Sequence, residues 1–328
     1  MRLQFLIPQY KETDDVIKPL LDSIAIQQNI DFNEIGVIIC NDGSYCFLSE
    51  DFLAGYQFTI EYFREPHRGV SATRNACLDH ATADYVMFCD ADDMFYNNCG
   101  LWILFREMEI GFDSLVSVFV EETRTPDRKQ VMYVNHERDS TFVHGKVHRR
   151  KYLINNNIRF NPNLTIHEDS YFNILAQNMS KEVKYCITPF YLWRWRDNSV
   201  CRHDPKYILK TYKNMLDSND ALVDEFIDRS MKDKAGFYTV FMIFDAYYTM
   251  NKPDWVNQEN KEYRDDTERR FAEYFEKHKD LWDSISDADK MQISMMVRNR
   301  SVMEGMQMES MTIGEWLKHI AEIKTAVV

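Results

Sequence analysis

The strongest constraint on this chain is an alternation, over its first 120 residues, of short apolar runs with segments of helical periodicity. RLQFLI reads as a strand with a stop expected at Pro8. TDDVIKPLLDSIAIQQ follows, with Val16, Ile17, Leu20, Leu21 and Ile24 at helical spacing behind the candidate cap Thr13. Pro19 lacks an N–H, so it either removes a backbone hydrogen bond from this helix or marks a late start. IGVIIC, FTIEYF, DYVMFCD and SLVSVFV read as further strands, SATRNACLDHA and NCGLWILFREME as helices. Strands that alternate with helices pair in parallel and build a doubly wound α/β sheet.

From about residue 140 to 203 the pattern is mixed, and beyond His203 it becomes long, amphipathic, Met-rich and nearly free of Gly and Pro. The expected division is therefore a sheet domain over 1–203 and an all-helical appendage over 204–328. Phe237, Phe241 and Phe244 are expected in the core of that appendage. With 45% hydrophobic and 14% aromatic residues, the chain has material for a large core.

No apolar run approaches the roughly 20 residues that span a bilayer. The opening MRLQFLIPQY lacks the basic head and small-residue cleavage site of a signal peptide, so a cytoplasmic protein, peripheral to a membrane at most, is expected. The net charge of −13, from 39 basic and 52 acidic residues, supplies no field that would draw the chain to nucleic acid. The seven cysteines form no CxxC pair and read as buried thiols.

Ligands of an open parallel sheet bind beyond the carboxyl ends of its strands. PQYKE follows the first run, NDGS the second and DADD the fourth, which delivers Asp42, Asp90, Asp92 and Asp93 to one rim. Such a cluster repels itself unless a cation sits in it, and hard carboxylate oxygens favour Mg²⁺ or Mn²⁺, completed by water and phosphate. Taken alone, DADD also suits a solvated turn, and Asp42 an Asx turn.

IPQYKE, NDGS, HRGVSATRN, FCDADD and the later HED together resemble the inverting, metal-dependent glycosyltransferases of family 2, which have the GT-A fold, a Rossmann-like sheet flanked by helices. The likeness covers roughly residues 1–203; the rest carries none. It implies that Pro8, Tyr10 and Glu12 contact the nucleotide and that Asp42 holds its base or ribose. It places Arg68, Arg74 and Asn75 under the diphosphate; Arg74 also suits a structural ion pair with a strand-end aspartate. Asp90 would hold the ribose, with Ala91 beside it, Asp92 the metal, and Asp93 a place behind them.

Inverting transfer is a single displacement that needs one general base. The resemblance puts it at Asp169, with Glu168 orienting the loop or binding acceptor. Taken alone, HED reads rather as acid that complements a helix N-terminus, and its distance downstream of DADD, which matches the family, reverses that preference. His144, Gly145 and Lys146 would border donor sugar and acceptor. Arg149 and Arg150 suit a contact or a solvated turn. Trp193 and Trp195 would stack on sugars or fill the core. Arg196, Ser199 and Arg202 would belong to a loop that closes on the diphosphate, and His203 would add a metal ligand.

The expected donor is a UDP-sugar and the expected acceptor a saccharide, polyol or lipid-linked glycan of the cell surface, with a modified base of phage DNA as the alternative. The helical tail would bind acceptor or join copies into a homo-oligomer. Rival readings of another class are a nucleotidyltransferase, though PQYKE stands where its Gly-rich loop belongs, and an inactive nucleotide-sugar-binding scaffold.

Overall fold

The computed structural model describes residues 1–125, 127–197, 206–252, 255, 257–303 and 311–325. Ser199, Arg202 and His203 lie outside the described residues. The backbone divides into two compact units, Met1–Ser199 and Val200–Val328.

The first unit contains strands β1 (Leu3–Gln9), β2 (Ile35–Asp42), β3 (Thr59–Glu65), β4 (Tyr85–Phe88), β5 (Met94–Phe95), β6 (Ser114–Ser117), β7 (Val120–Arg124), β8 (Gln130–Val134), β9 (Lys146–Arg149), β10 (Val183–Cys186) and β11 (Tyr191–Trp193). Its helices are α1 (Asp14–Ala25), α2 (Glu50–Ala54), α3 (Val70–His80), α4 (Gly100–Ile110), α5 (Arg150–Asn155) and α6 (Glu168–Met179). Seven strands form the main sheet in the order β10-β6-β9-β4-β1-β2-β3. Only β9 runs against its neighbours β4 and β6, so the sheet is mixed and mainly parallel, as expected. A smaller sheet follows the order β5-β11-β7-β8.

Local chemistry explains where the elements depart from expectation. β1 runs through Pro8 to Gln9 instead of stopping. Leu6 O accepts from Cys89 N, so the even-numbered residues of β1 face β4. β4 pairs only as far as Leu6, which leaves no ladder bond for the missing Pro8 amide to break. Pro19 lies inside α1, which loses one backbone bond rather than starting late. SLVSVFV is not one strand: β6 ends at Ser117, and β7 begins at Val120 in the other sheet. Phe119, at the crossing, is buried between the two and packs edge-on against Phe142 and His144.

The helical unit consists of Tyr207–Asp228, Lys232–Met250, Lys261–Ser284, Asp287–Met303 and Ile313–Thr325. Phe244 is buried in its core, and Phe237 and Phe241 pack against that core. One polar staple joins the first and third helices. Asp220 accepts from Arg270 at 2.6 Å, Lys277 at 2.7 Å and His278 at 2.7 Å. These donors overcome the desolvation of its partial burial and hold its carboxyl well below the usual range. Asp220, Asp224 and His278 stand close enough to share an ion, but Arg270 and Lys277 already neutralise them. Among the described residues no helix is long and apolar enough to cross a membrane.

An aromatic cluster docks α6 onto the sheet: Phe172 stacks on Phe160 at 4.1 Å and meets Phe88 edge-on at 5.5 Å. Phe172 is fully buried. Phe172→Ala should therefore destabilise the unit by about 3–5 kcal/mol, to be read from the shift of its denaturant midpoint.

Candidate active site

The strand order places the site. The chain winds from β1 through β2 to β3, then returns to the other side of β1 with β4, so a crevice opens beyond the carboxyl ends of β1 and β4. IPQYKE leaves β1 and CDADD leaves β4 at this crevice. HRGVSATRN, after β3, becomes α3.

One side chain on α3 organises the crevice. Arg74 is almost wholly buried and reaches Asp90 at 2.9 Å, Glu168 at 2.9 Å and Asp169 at 2.5 Å, with its guanidinium over the Phe160 ring. Its neighbours grip the same segment: Asn75 donates to Phe160 O at 2.8 Å and accepts from Phe160 N at 3.0 Å, and Ser71 donates to Leu164 O at 3.2 Å. The HED acids are thus brought beside the DADD acids through α3. His167, in the left-handed region at φ 63°, makes the turn that starts α6 and aims both carboxylates inward.

Three carboxylates face one guanidinium, and the imbalance falls on Asp169. Burial pushes its carboxyl up to about 8, against the pull of Arg74 and with added repulsion from Glu168 and Asp90. The same anions hold Arg74 firmly protonated despite its burial.

The DADD residues divide their work. Asp90 is open to the crevice on one side and pairs with Arg74 on the other. Ala91 is buried. Asp92 pairs with Arg196 at 2.7 Å. Asp93 is buried and accepts from Tyr191 Oη at 2.7 Å and Arg194 N at 3.0 Å; burial and the neighbouring Asp90 and Asp92 raise its carboxyl. Tyr191 Oη also accepts from Asp90 N at 3.1 Å, which ties the loop to β11. Asp90, Asp93 and His144 offer ligand atoms within 4.8 Å of one another, an oxygen-and-imidazole set suited to a divalent cation. Asp93 and His144 are buried, and Asp90 is the member of this set open to the crevice. Sequence reasoning put the cation on Asp92, whose carboxylate here carries Arg196.

On the β1 and β2 side, Tyr10 is exposed and stacks on His67 with ring centroids 4.8 Å apart. Glu12 accepts from the amides of Tyr10 and Lys11, which folds the segment after Pro8 into a turn. Asp42 is buried and accepts from Arg68 N at 2.8 Å and Gly69 N at 3.0 Å, with His67 Nδ1 2.9 Å away. Its carboxylate therefore fixes the entry to α3. The side chain of NDGS that bonds the local backbone belongs to Asn41, whose Oδ1 accepts from Ser44 N at 2.8 Å. Gly43 is required here: at φ +69° its Cβ would stand 2.5 Å from His67 N. Arg68 is exposed, near Glu65 at 3.8 Å.

Several expected contacts lie elsewhere. Lys146 is 1% exposed and pairs with Asp139 at 2.7 Å, so it locks a loop instead of facing the rim; burial lowers its ammonium. His144 is buried between Phe142 and Tyr191. Trp193 packs on the core, while Trp195 is half-buried and donates to Asp197 and Glu122. Asn75 spends both carboxamide atoms on Phe160, which removes it from the diphosphate. Arg149 and Arg150 donate to Phe112 O and Ala83 O and are not solvated turn residues. Tyr191 escaped sequence reasoning because PFYLW reads as plain core. Arg74→Ala would strand three partly buried carboxylates. It should destabilise the first unit by about 3–5 kcal/mol near pH 8 and by less near pH 5, where Asp169, raised to about 8, carries its proton and one repelling charge is gone; paired denaturation curves check this.

Residues 5–175 match the model of glycosyl transferase family 2. An uncharacterized glycosyltransferase of Rickettsia felis is 30% identical over 98 residues, 30% of this chain but 16% of the relative's length. The uncharacterized glycosyltransferase EpsJ of Bacillus subtilis is 22% identical over 265 residues, 74% of this chain and 72% of EpsJ. Residues 1–349 of S. aureus TarS superpose with a TM-score of 0.62 at 16% identity over 92% of both chains, and TarS was also solved with UDP-GlcNAc. The mannosyltransferase PcManGT of Pyrobaculum calidifontis, solved with GDP-Man and Mn²⁺, gives 0.50 at 12% identity over 99% of this chain and 86% of its own. The expected GT-A architecture with a helical C-terminal region is borne out, and the chain belongs to glycosyl transferase family 2.

Proposed function

We propose that this chain transfers a sugar from a UDP-sugar to an acceptor hydroxyl with inversion, and that Asp169 is the general base. The observation that carries the reading is the raised Asp169 carboxyl, held by Arg74 at the crevice lined by Asp90. In a single displacement the acceptor oxygen bonds to the anomeric carbon, its proton passes to Asp169, and the bond to UDP breaks on the opposite face. A base must sit opposite the leaving group, and its affinity for a proton should lie near working pH. Glu168 shares Arg74 and so orients Asp169 or the acceptor.

The donor assignment draws on TarS, solved with UDP-GlcNAc, and on the family's motifs at Pro8, Tyr10, Glu12, Asp42, Arg68, Asp90 and Ala91. The metal assignment, Mn²⁺ or Mg²⁺, draws on the acidic DADD set and on PcManGT, solved with Mn²⁺. A divalent ion there would neutralise the diphosphate as charge develops on the leaving group. Asp92 would hold it and Asp90 the ribose, with His203 as a further metal ligand outside the described residues. Arg196 would exchange Asp92 for the diphosphate. We assign donor binding and catalysis to 1–203, and acceptor recognition or assembly to the appended 204–328. A cell-surface saccharide, polyol or lipid-linked glycan is the acceptor class, and the cytoplasmic side of the membrane the place of action.

Asp169→Asn should still bind UDP-sugar but lose transfer by a factor of about 10²–10⁴ in a UDP-release assay with Mn²⁺; near-normal turnover would remove it from the role. Because the base must be ionised to accept a proton, kcat/KM should rise about tenfold per pH unit up to about pH 8 and then level off. The rising limb should vanish in Asp169→Asn. Asp92→Ala should abolish metal-dependent donor binding, and unchanged affinity in calorimetry would contradict the metal assignment.

A further inference from the structure

Arg74 grips the acids at the start of α6 directly, and a second buried cation works on the same helix through a loop. Lys146 opens β9 with a side chain 1% exposed. Its ammonium donates to Asp139 Oδ2 at 2.7 Å and to Phe142 O. Asp139 accepts in turn from the amides of Thr141 and Phe142, both at 3.1 Å. Burial would push the Asp139 carboxyl up, but Lys146 and these two amides hold it below its ordinary range. The segment 139–142 is thus wound around one buried charge.

α6 takes hold of the same segment. Asn173 Nδ2 donates to Phe142 O at 2.8 Å, and Gln177 Nε2 to Asp139 O at 3.3 Å. Ser170 Oγ stands 3.5 Å from Thr141 O. Positions 170, 173 and 177 are three and four residues apart, so they form one stripe of the helix. Phe142 O is the joint, since it accepts from Lys146 and from the wholly buried Asn173 together. Asn173 follows Asp169 at the i, i+4 spacing that makes two residues neighbours on a helix. One carbonyl and one carboxamide therefore connect the ammonium to the turn that carries the acid. The charges register each other as well: burial lowers the ammonium, and Asp139 and Asp169 pull the other way.

A buried ion pair suffers desolvation, and apolar side chains of similar volume often fill such a space as stably. What an ammonium adds is several donors at one point, here joining a carboxylate to a carbonyl. We propose that Lys146 is a positioning residue of the transfer reaction. It anchors 139–142 as a rail along α6 and, through Phe142 O and Asn173, fixes the turn that presents Asp169 to the crevice. This role rests on Asp169 being the base. Arg74 sets where the carboxylate points, and the rail keeps the helix turn behind it from shifting.

Two variants of the full chain test this. Asn173→Ala keeps the ion pair and cuts the link to α6, whereas Lys146→Met with Asp139→Asn removes the pair and leaves neither charge unpartnered. In both, amide hydrogen exchange over 166–172, read by mass spectrometry, should quicken roughly tenfold while β2 keeps its protection. UDP release from a UDP-sugar with Mn²⁺ should lose about 10–10²-fold in kcat with the donor KM unchanged, as misplacement of a reacting group does. In an Asp169→Asn background, Asn173→Ala should add no further loss, because both act through one carboxylate. Unchanged exchange over 166–172 in the folded variants overturns the proposal, as does a normal kcat, or a loss that adds in full to that of Asp169→Asn. Should Asp169→Asn itself turn over normally, it is the base assignment that fails, and the exchange rates alone decide whether Lys146 holds the turn.

Discussion

The first unit depends on one buried cation. Arg74 stands on α3, yet its partners come from the loop after β4 and from the start of α6, segments more than 75 residues apart in sequence. Buried opposite charges attract strongly, by about 4 kcal/mol at 4 Å for an effective dielectric near 20, and this offsets the desolvation each group suffers. The guanidinium suits the task because its planar fork presents several donors at once, which an ammonium does not. Stacking over Phe160 and the double clamp of Asn75 on the same residue fix its direction. Three polar side chains within little more than one turn of a short helix thus gather the acids of the crevice.

That arrangement changes how the motifs are understood. HRGVSATRN looked like a cradle for an anion, but Ser71, Arg74 and Asn75 all turn toward the protein's own 160–169 segment. In NDGS the Asp42 carboxylate also accepts from the amides that open α3. DADD divides into one side chain toward the crevice, one held by Arg196 and one sunk beneath Tyr191. Much of what resembles a binding signature is the internal scaffolding that holds the few ligand-facing groups still.

Most of the sheet was legible because its strands are apolar runs bounded by polar ends, and periodicity of that kind survives without tertiary context. β9 was not legible, since GKVHRR looks like a basic surface turn. Lys146 and His148 are buried all the same, the lysine against Asp139 and the histidine against Ser114. SLVSVFV was read as one strand because nothing in its hydrophobicity marks the point where the chain changes sheets. The roles of the acids were the hardest part: composition brings carboxylates to a rim, but only packing decides which are shared, capped or left open.

The reversal of β9 has a consequence for how this architecture diversifies. A strand running backwards delivers the chain to the far end of the sheet, so α6 regains the crevice through the stretch 156–167 rather than from a strand terminus. The Glu168 and Asp169 pair is therefore suspended from a tether, whereas the groups beyond β1 and β4 are welded to the pleated framework. Lengthening or re-routing that tether would re-aim the two carboxylates while the opposite half of the cleft stayed where it is, so the two halves of the crevice are free to diverge separately.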